Sequence, residues 1–142
     1  MRSMHFEKVV TIEAHADAVW AVLTDVESWP ELTESISSVE CLDDGPLRVG
    51  SRVRIKQPRL PVAVWTVTEY VEGQRFVWEA KGPGVRTTAK HAVLEAAGST
   101  NLRLEIDQHG VLGRLLGPLS IGMTRRYIDW EARGLKQRVE KR

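Results

Sequence analysis

The chain has 142 residues and a mass of 16.0 kDa, 42% hydrophobic and 27% charged, which fits one globular domain with its own core and leaves little room for two. Its 20 Lys and Arg against 19 Asp and Glu give a net charge of +1, so there is no global basic field to draw it onto nucleic acid, and its C-terminal uncharged run, Leu115 to Thr124, is about half the ~20 residues a membrane-spanning helix needs. The one cysteine, Cys41, excludes an internal disulfide, and no basic-then-apolar leader occupies Met1 to Ala14, so a reduced, cytoplasmic protein is expected.

From His5 to Ala14, Val10, Ile12 and Ala14 share one parity and Thr11 and Glu13 the other, which predicts an opening strand. At Ala16 the spacing lengthens to three and four residues through Val19, Trp20, Leu23 and Val26, predicting a short helix. A second short helix is predicted over Trp29 to Glu34, with Ser28 as its cap and Pro30 in its first turn. Period-two segments then follow at Ile36–Leu42, Gly50–Gln57, Val62–Val71, Arg75–Lys81, Val85–Ala96 and Thr100–His109, separated by short turn sequences such as Asp43-Asp44-Gly45-Pro46 and Gly82-Pro83-Gly84. Connections this short predict an antiparallel meander.

One face of that sheet is covered and the other solvated. Leu102, Leu104 and Ile106 alternate with Arg103, Glu105 and Asp107, and Val53 and Ile55 with Arg52, Arg54 and Lys56. The same parity puts Trp65, Val67, Phe76, Trp78, Thr87, Ala89, His91 and Val93 on the covered side. After Gly110, Leu112, Leu115, Leu116, Leu119, Met123, Tyr127 and Trp130 form a stripe of helical period, predicting a long C-terminal helix to about Val139 with a kink or break at Gly117-Pro118.

Charge is unevenly spread: Met1–Leu47 carries 2 basic and 10 acidic residues, Arg48–Gly110 carries 10 and 6, and Val111–Arg142 carries 8 and 3. The acidic front and basic tail are expected to face each other. The row Arg52, Arg54 and Lys56, with Arg48 and Arg59 nearby, reads as solvated charge, since no aromatic residue on its strand could stack a base. The four histidines, His5, His15, His91 and His109, show no metal-ligand spacing, so no metal and no other cofactor is expected. Gly110-Val111-Leu112-Gly113 lacks the Lys-Ser/Thr pair of a phosphate loop, and no serine nucleophile elbow occurs. His91, between Ala89 and Val93, is the candidate catalytic group, an imidazole near neutrality on the covered face.

Strand, two short helices, six strands and a long helix is the helix-grip order, an α+β arrangement that resembles the SRPBCC or START-like superfamily of the birch pollen allergen fold. Val10–Ala14 leading into Ala18-Val19-Trp20, Asp25–Pro30 and Val49-Gly50-Ser51-Arg52-Val53 carry the resemblance. Phe76-Val77-Trp78 and Gln57-Pro58 with Trp65 are similar to the polyketide cyclase/dehydrase and lipid transport group.

The resemblance implies a curved seven-stranded sheet gripping the C-terminal helix around an apolar cavity that takes a lipid, a polyketide or another hydrophobic small molecule. The candidate ligand-binding residues are Trp65, Trp78, Phe76, His91, Val53, Ile55, Gln57, Leu104, Met123 and Tyr127. Side chains filling the same space as a plain core would give the same alternation. Cyclase or dehydratase chemistry would add polar groups, for which Tyr70, Gln108 and Thr87 join His91, Gln57 and Tyr127. A protein-interaction module is a third reading, and a monomer or homodimer without nucleic acid or integral membrane association is expected.

Overall fold

Period-two alternation builds seven strands in the computed structural model, which describes residues 3–82, 84–110 and 117–141. They are β1 (Ser3–Ile12), β2 (Ser38–Cys41), β3 (Arg52–Lys56), β4 (Ala63–Val71), β5 (Arg75–Gly82), β6 (Val85–Ala96) and β7 (Ser99–His109). Helix α1 (Ala16–Thr24) and a 3-10 helix (Val26–Glu31) follow β1, and α2 (Gly117–Glu140) ends the chain. All neighbours pair antiparallel in the order β1-β7-β6-β5-β4-β3-β2, so the predicted meander is present and β1 docks on its last strand, Ser3 opposite His109. No helix among the described residues is long and apolar enough to cross a membrane.

Register fixes which side chains share a face. Val53 lies opposite Trp65, Val67 opposite Trp78, Trp78 opposite Ala89, His91 opposite Leu104 and Val93 opposite Leu102, giving one continuous covered surface. A bulge between Val67 and Glu69 advances β4 by one residue, so Tyr70 returns to the covered face that Trp65 and Val67 occupy. There it meets Trp20 of α1 edge to face, ring centroids 5.7 Å apart.

The second helix differs from the expectation. It is a 3-10 segment beginning at Val26, and Pro30 lies inside it. The Ser28 hydroxyl donates to the Asp25 carbonyl at 2.8 Å instead of capping a following turn. Three residues per turn explains the change: Val26 and Trp29 are both buried at i and i+3, and Trp29 Nε1 donates to the Leu23 carbonyl at 3.2 Å.

The C-terminal helix also departs from its predicted phase and shape. Gly117-Pro118 starts α2 rather than kinking it, because proline's missing N–H costs nothing in a first turn. Leu112, Leu115 and Leu116 lie outside the described residues, as does the Leu119 side chain. The buried stripe is Ile128, Ala132, Leu135 and Val139, with Tyr127 beside it, whereas Met123 and Trp130 are only partly covered. Small residues set this phase: a Cβ on Gly134 would stand 2.1 Å from the Leu32 carbonyl oxygen, so α2 presses directly on the chain leaving the 3-10 helix. That contact brings Trp29 and α2 to the same end of the sheet.

Candidate functional site

Where α2 crosses the sheet, a cavity of about 50 Å³ remains, and a pocket of about 10 Å³ adjoins it. Trp65, Trp78, Ile55, His91 and Leu104 line it from the sheet, Trp29 and Ile36 from the segment after α1, and Ile128 and Glu131 from α2. The three indoles form one aromatic wall, since Trp78 lies 5.4 Å from Trp29 and 5.9 Å from Trp65 between ring centroids. Gln57 stands at the edge, its amide donating to the Ser35 carbonyl at 3.2 Å.

His91 is 6% exposed and held on three sides by rings. Phe76 stacks on it at 4.2 Å with a 10° tilt, while Trp78 and Trp29 lie 5.3 and 5.7 Å away. Desolvation lowers its pKa to about 4, against the weaker raising effect of the Phe76 carbonyl, so the imidazole is neutral at pH 7, where a free histidine would be partly protonated. Its Nδ1 is 3.4 Å from that carbonyl, which can only accept, so Nδ1 carries the proton and Nε2 is left as an acceptor.

Glu131 is the group the sequence reading missed. It is partly buried as a residue, yet it lines both the cavity and the adjoining pocket, and desolvation alone raises its pKa to about 7. A donor that ionises near neutrality and a neutral acceptor thus share one cavity.

Other candidates sit elsewhere. Phe76 is fully buried behind His91, and Val53 is fully buried at a separate depression. The Tyr127 hydroxyl donates to the Pro58 carbonyl at 2.5 Å, Met123 is partly exposed, and neither lines the cavity. Tyr70 is occupied by Glu72 at 2.5 Å, and Thr87 pairs in register with Gln108 away from the lining.

The separate depression is larger, about 170 Å³, between the 3-10 helix and the β2–β3 connection. Its polar groups satisfy one another: Asp43 bridges Arg52 at 3.1 Å, and Glu27 accepts from the Cys41 backbone N–H at 3.1 Å. Burial, with Glu27 assisting, pushes the Cys41 thiol pKa up, which removes thiolate character. The smaller cavity is therefore the candidate, because its polar groups still have hydrogen-bonding capacity to offer.

In the outer basic row Arg52 and Arg54 are ion-paired, on Asp43 at 3.1 Å and on Glu40 at 2.8 Å, while the Lys56 ammonium donates to the Gln57 carbonyl at 2.7 Å. On the outer face of β1 and β7, His5 meets Glu7 and Glu105 at 3.4 and 3.7 Å, with Nδ1 on Asp107 at 2.6 Å. Cross-strand register makes that group, which sequence spacing could not show. The Asp107 hydrogen bond raises the pKa of His5.

Comparison with known proteins gives the same architecture. A structure of a START superfamily protein from Mycobacterium smegmatis superposes with a TM-score of 0.79 at 18% identity, covering 96% of this chain and 97% of that one. An aromatase/cyclase from Streptomyces sp. R1128 superposes with a TM-score of 0.75 at 21% identity, covering 99% and 96%. A Streptomyces halstedii protein assigned by name to the polyketide cyclases is 40% identical over 52 residues, 37% of this chain and 44% of that protein, so the match spans less than half of that relative. The family model for polyketide cyclase / dehydrase and lipid transport proteins matches residues 3–140, and the chain belongs to that family.

Proposed function

We propose that the protein binds a hydrophobic small molecule, aromatic or polyketide-like, between its sheet and α2. One observation carries this reading: three tryptophans and two polar groups with spare hydrogen-bonding capacity, His91 and Glu131, converge on a single cavity. Binding sites for drug-sized ligands span roughly 300–1,000 Å³. The 50 Å³ present holds only a few waters, so a ligand must displace lining side chains. Trp65, Gln57 and Glu131, all partly exposed, are positioned to yield.

Titration with a panel of acyl and polycyclic compounds, followed by tryptophan emission, tests the proposal. At least one compound should saturate at micromolar concentration. Trp65→Ala should weaken its binding, while Arg54→Ala on the outer face should not. Trp78→Phe provides a second variant, because Trp78 is 2% exposed and truncation to Ala would cost about 3–5 kcal/mol of stability by itself. Failure of every compound would contradict the proposal.

Cyclase or dehydratase chemistry is a second reading, favoured by the two groups facing one space. Glu131 could protonate a substrate carbonyl while His91 Nε2 accepts a proton. The similarity to the Streptomyces aromatase/cyclase supports it at the level of fold.

A further inference from the structure

Among the described residues four ionisable ones line the cavity, His91, Glu131, Lys90 and Glu105, and neither His91 nor Glu131 has an ion-pair partner. Cations of α2 and β1 are engaged outside it, Lys8 and Arg133 on Asp129 at 2.9 and 2.7 Å and Lys136 on Glu140 at 2.7 Å. From the sheet, His91 faces the space. Lys90 and Glu105 border it from strand positions of the outward parity, and Glu105 reaches His5 there. Trp29, Leu32, Leu104, Ile128 and Leu135 supply the remaining apolar surface near Glu131.

An anion placed among these side chains would exchange water for indole faces and a carboxyl group, and the cation at the border, Lys90, is exposed on an outward strand position. An uncharged ligand meets the opposite situation. Its ring lies against the tryptophans, a carbonyl can accept from a protonated Glu131, and a hydroxyl can donate to His91 Nε2. We propose that the cavity selects uncharged aromatic ligands bearing a carbonyl or hydroxyl and rejects carboxylates such as free fatty acids, with Glu131 as the specificity-determining donor. This rests on the cavity being the binding site.

Acetophenone and benzoate test it, since they match in ring and size and differ in charge near neutrality. Acetophenone should bind the wild-type protein saturably, followed by NMR chemical shifts, and benzoate at least roughly tenfold more weakly. Acetophenone affinity should fall roughly tenfold between about pH 6 and about pH 8, as the donor ionises around its pKa of about 7. Glu131→Gln, which keeps an uncharged donor, should bind acetophenone independently of pH over that range. Benzoate binding as tightly as acetophenone, or a flat wild-type pH profile, overturns the selection while leaving the cavity as the site. Binding of neither probe overturns both.

Discussion

Leu102→Asp is expected to lower stability by about 4 kcal/mol or more, because it places a carboxylate with no partner in a site sealed from water. Leu102 has no exposed surface, and its register neighbours on β1 and β6 are Val10 and Val93. None of the three can accept or donate a hydrogen bond through its side chain. The adjacent residue provides the control. Arg103 points outward and bridges Glu7 at 3.3 Å with both side chains well exposed, so Arg103→Ala should change stability by less than about 1 kcal/mol. Chemical denaturation of the two variants checks the face assignment of the whole sheet, since a register slip of one residue would exchange their effects.

The second large effect is a pH dependence that the wild-type protein conceals. His91 has a folded pKa of about 4 against 6.5 unfolded, so its contribution to stability is present above pH 6.5 and is lost as pH falls through about 4. Glu131 has the opposite sign: with a folded pKa of about 7 against 4.5, its contribution is present below pH 4.5 and is lost as pH rises through about 7. Between pH 4.5 and 6.5 folding moves a proton from His91 to Glu131 without net uptake or release, and the two slopes cancel.

Single variants should expose each slope. Relative to wild type, Glu131→Gln should gain about 3 kcal/mol of stability between pH 4.5 and pH 7, and His91→Gln should gain a similar amount as pH falls from 6.5 to 4. Urea denaturation across that range measures the differences. Curves that run parallel to wild type would show that one of the two groups is not desolvated.

Much of this architecture was legible in local spacing, because alternation is a property of neighbours in sequence. The strands from β2 to β7 fall within two residues of their predicted limits, and His91 was placed inward by Ala89 and Val93 on either side. The docking of β1 on β7 joins residues about a hundred positions apart and has no local signal. Tyr70 is a polar candidate in the sequence, but the bulge that returns it to the covered face after Val67 has no signal in the alternation.

Glu131 was missed through helix phase. Tyr127 and Trp130 suggest one stripe, Ile128 and Leu135 another, and Glu131 falls between them, four residues after Tyr127 and three after Ile128. An acid three residues after Ile128 and four before Leu135 is the signal that could have found it. Trp29 opens the predicted second helix, and its place in the cavity follows from the 3-10 turn and the close approach permitted at Gly134.

The central claim, that a hydrophobic ligand lodges among Trp29, Trp65 and Trp78, is tested most directly by the indole N–H signals of the isotope-labelled protein during titration with 2-naphthol. The chain has 5 tryptophans, and two lie outside the cavity lining: Trp20, whose Nε1 donates to Glu72 at 3.2 Å, and Trp130, stacked on Tyr127 at 5.9 Å. The signals of Trp29, Trp65 and Trp78 should shift together and saturate at one concentration, with Trp20 and Trp130 unmoved. Shifts confined to Trp20 and Trp130, or no saturable shift at any indole, would contradict the assignment of this cavity as the binding site.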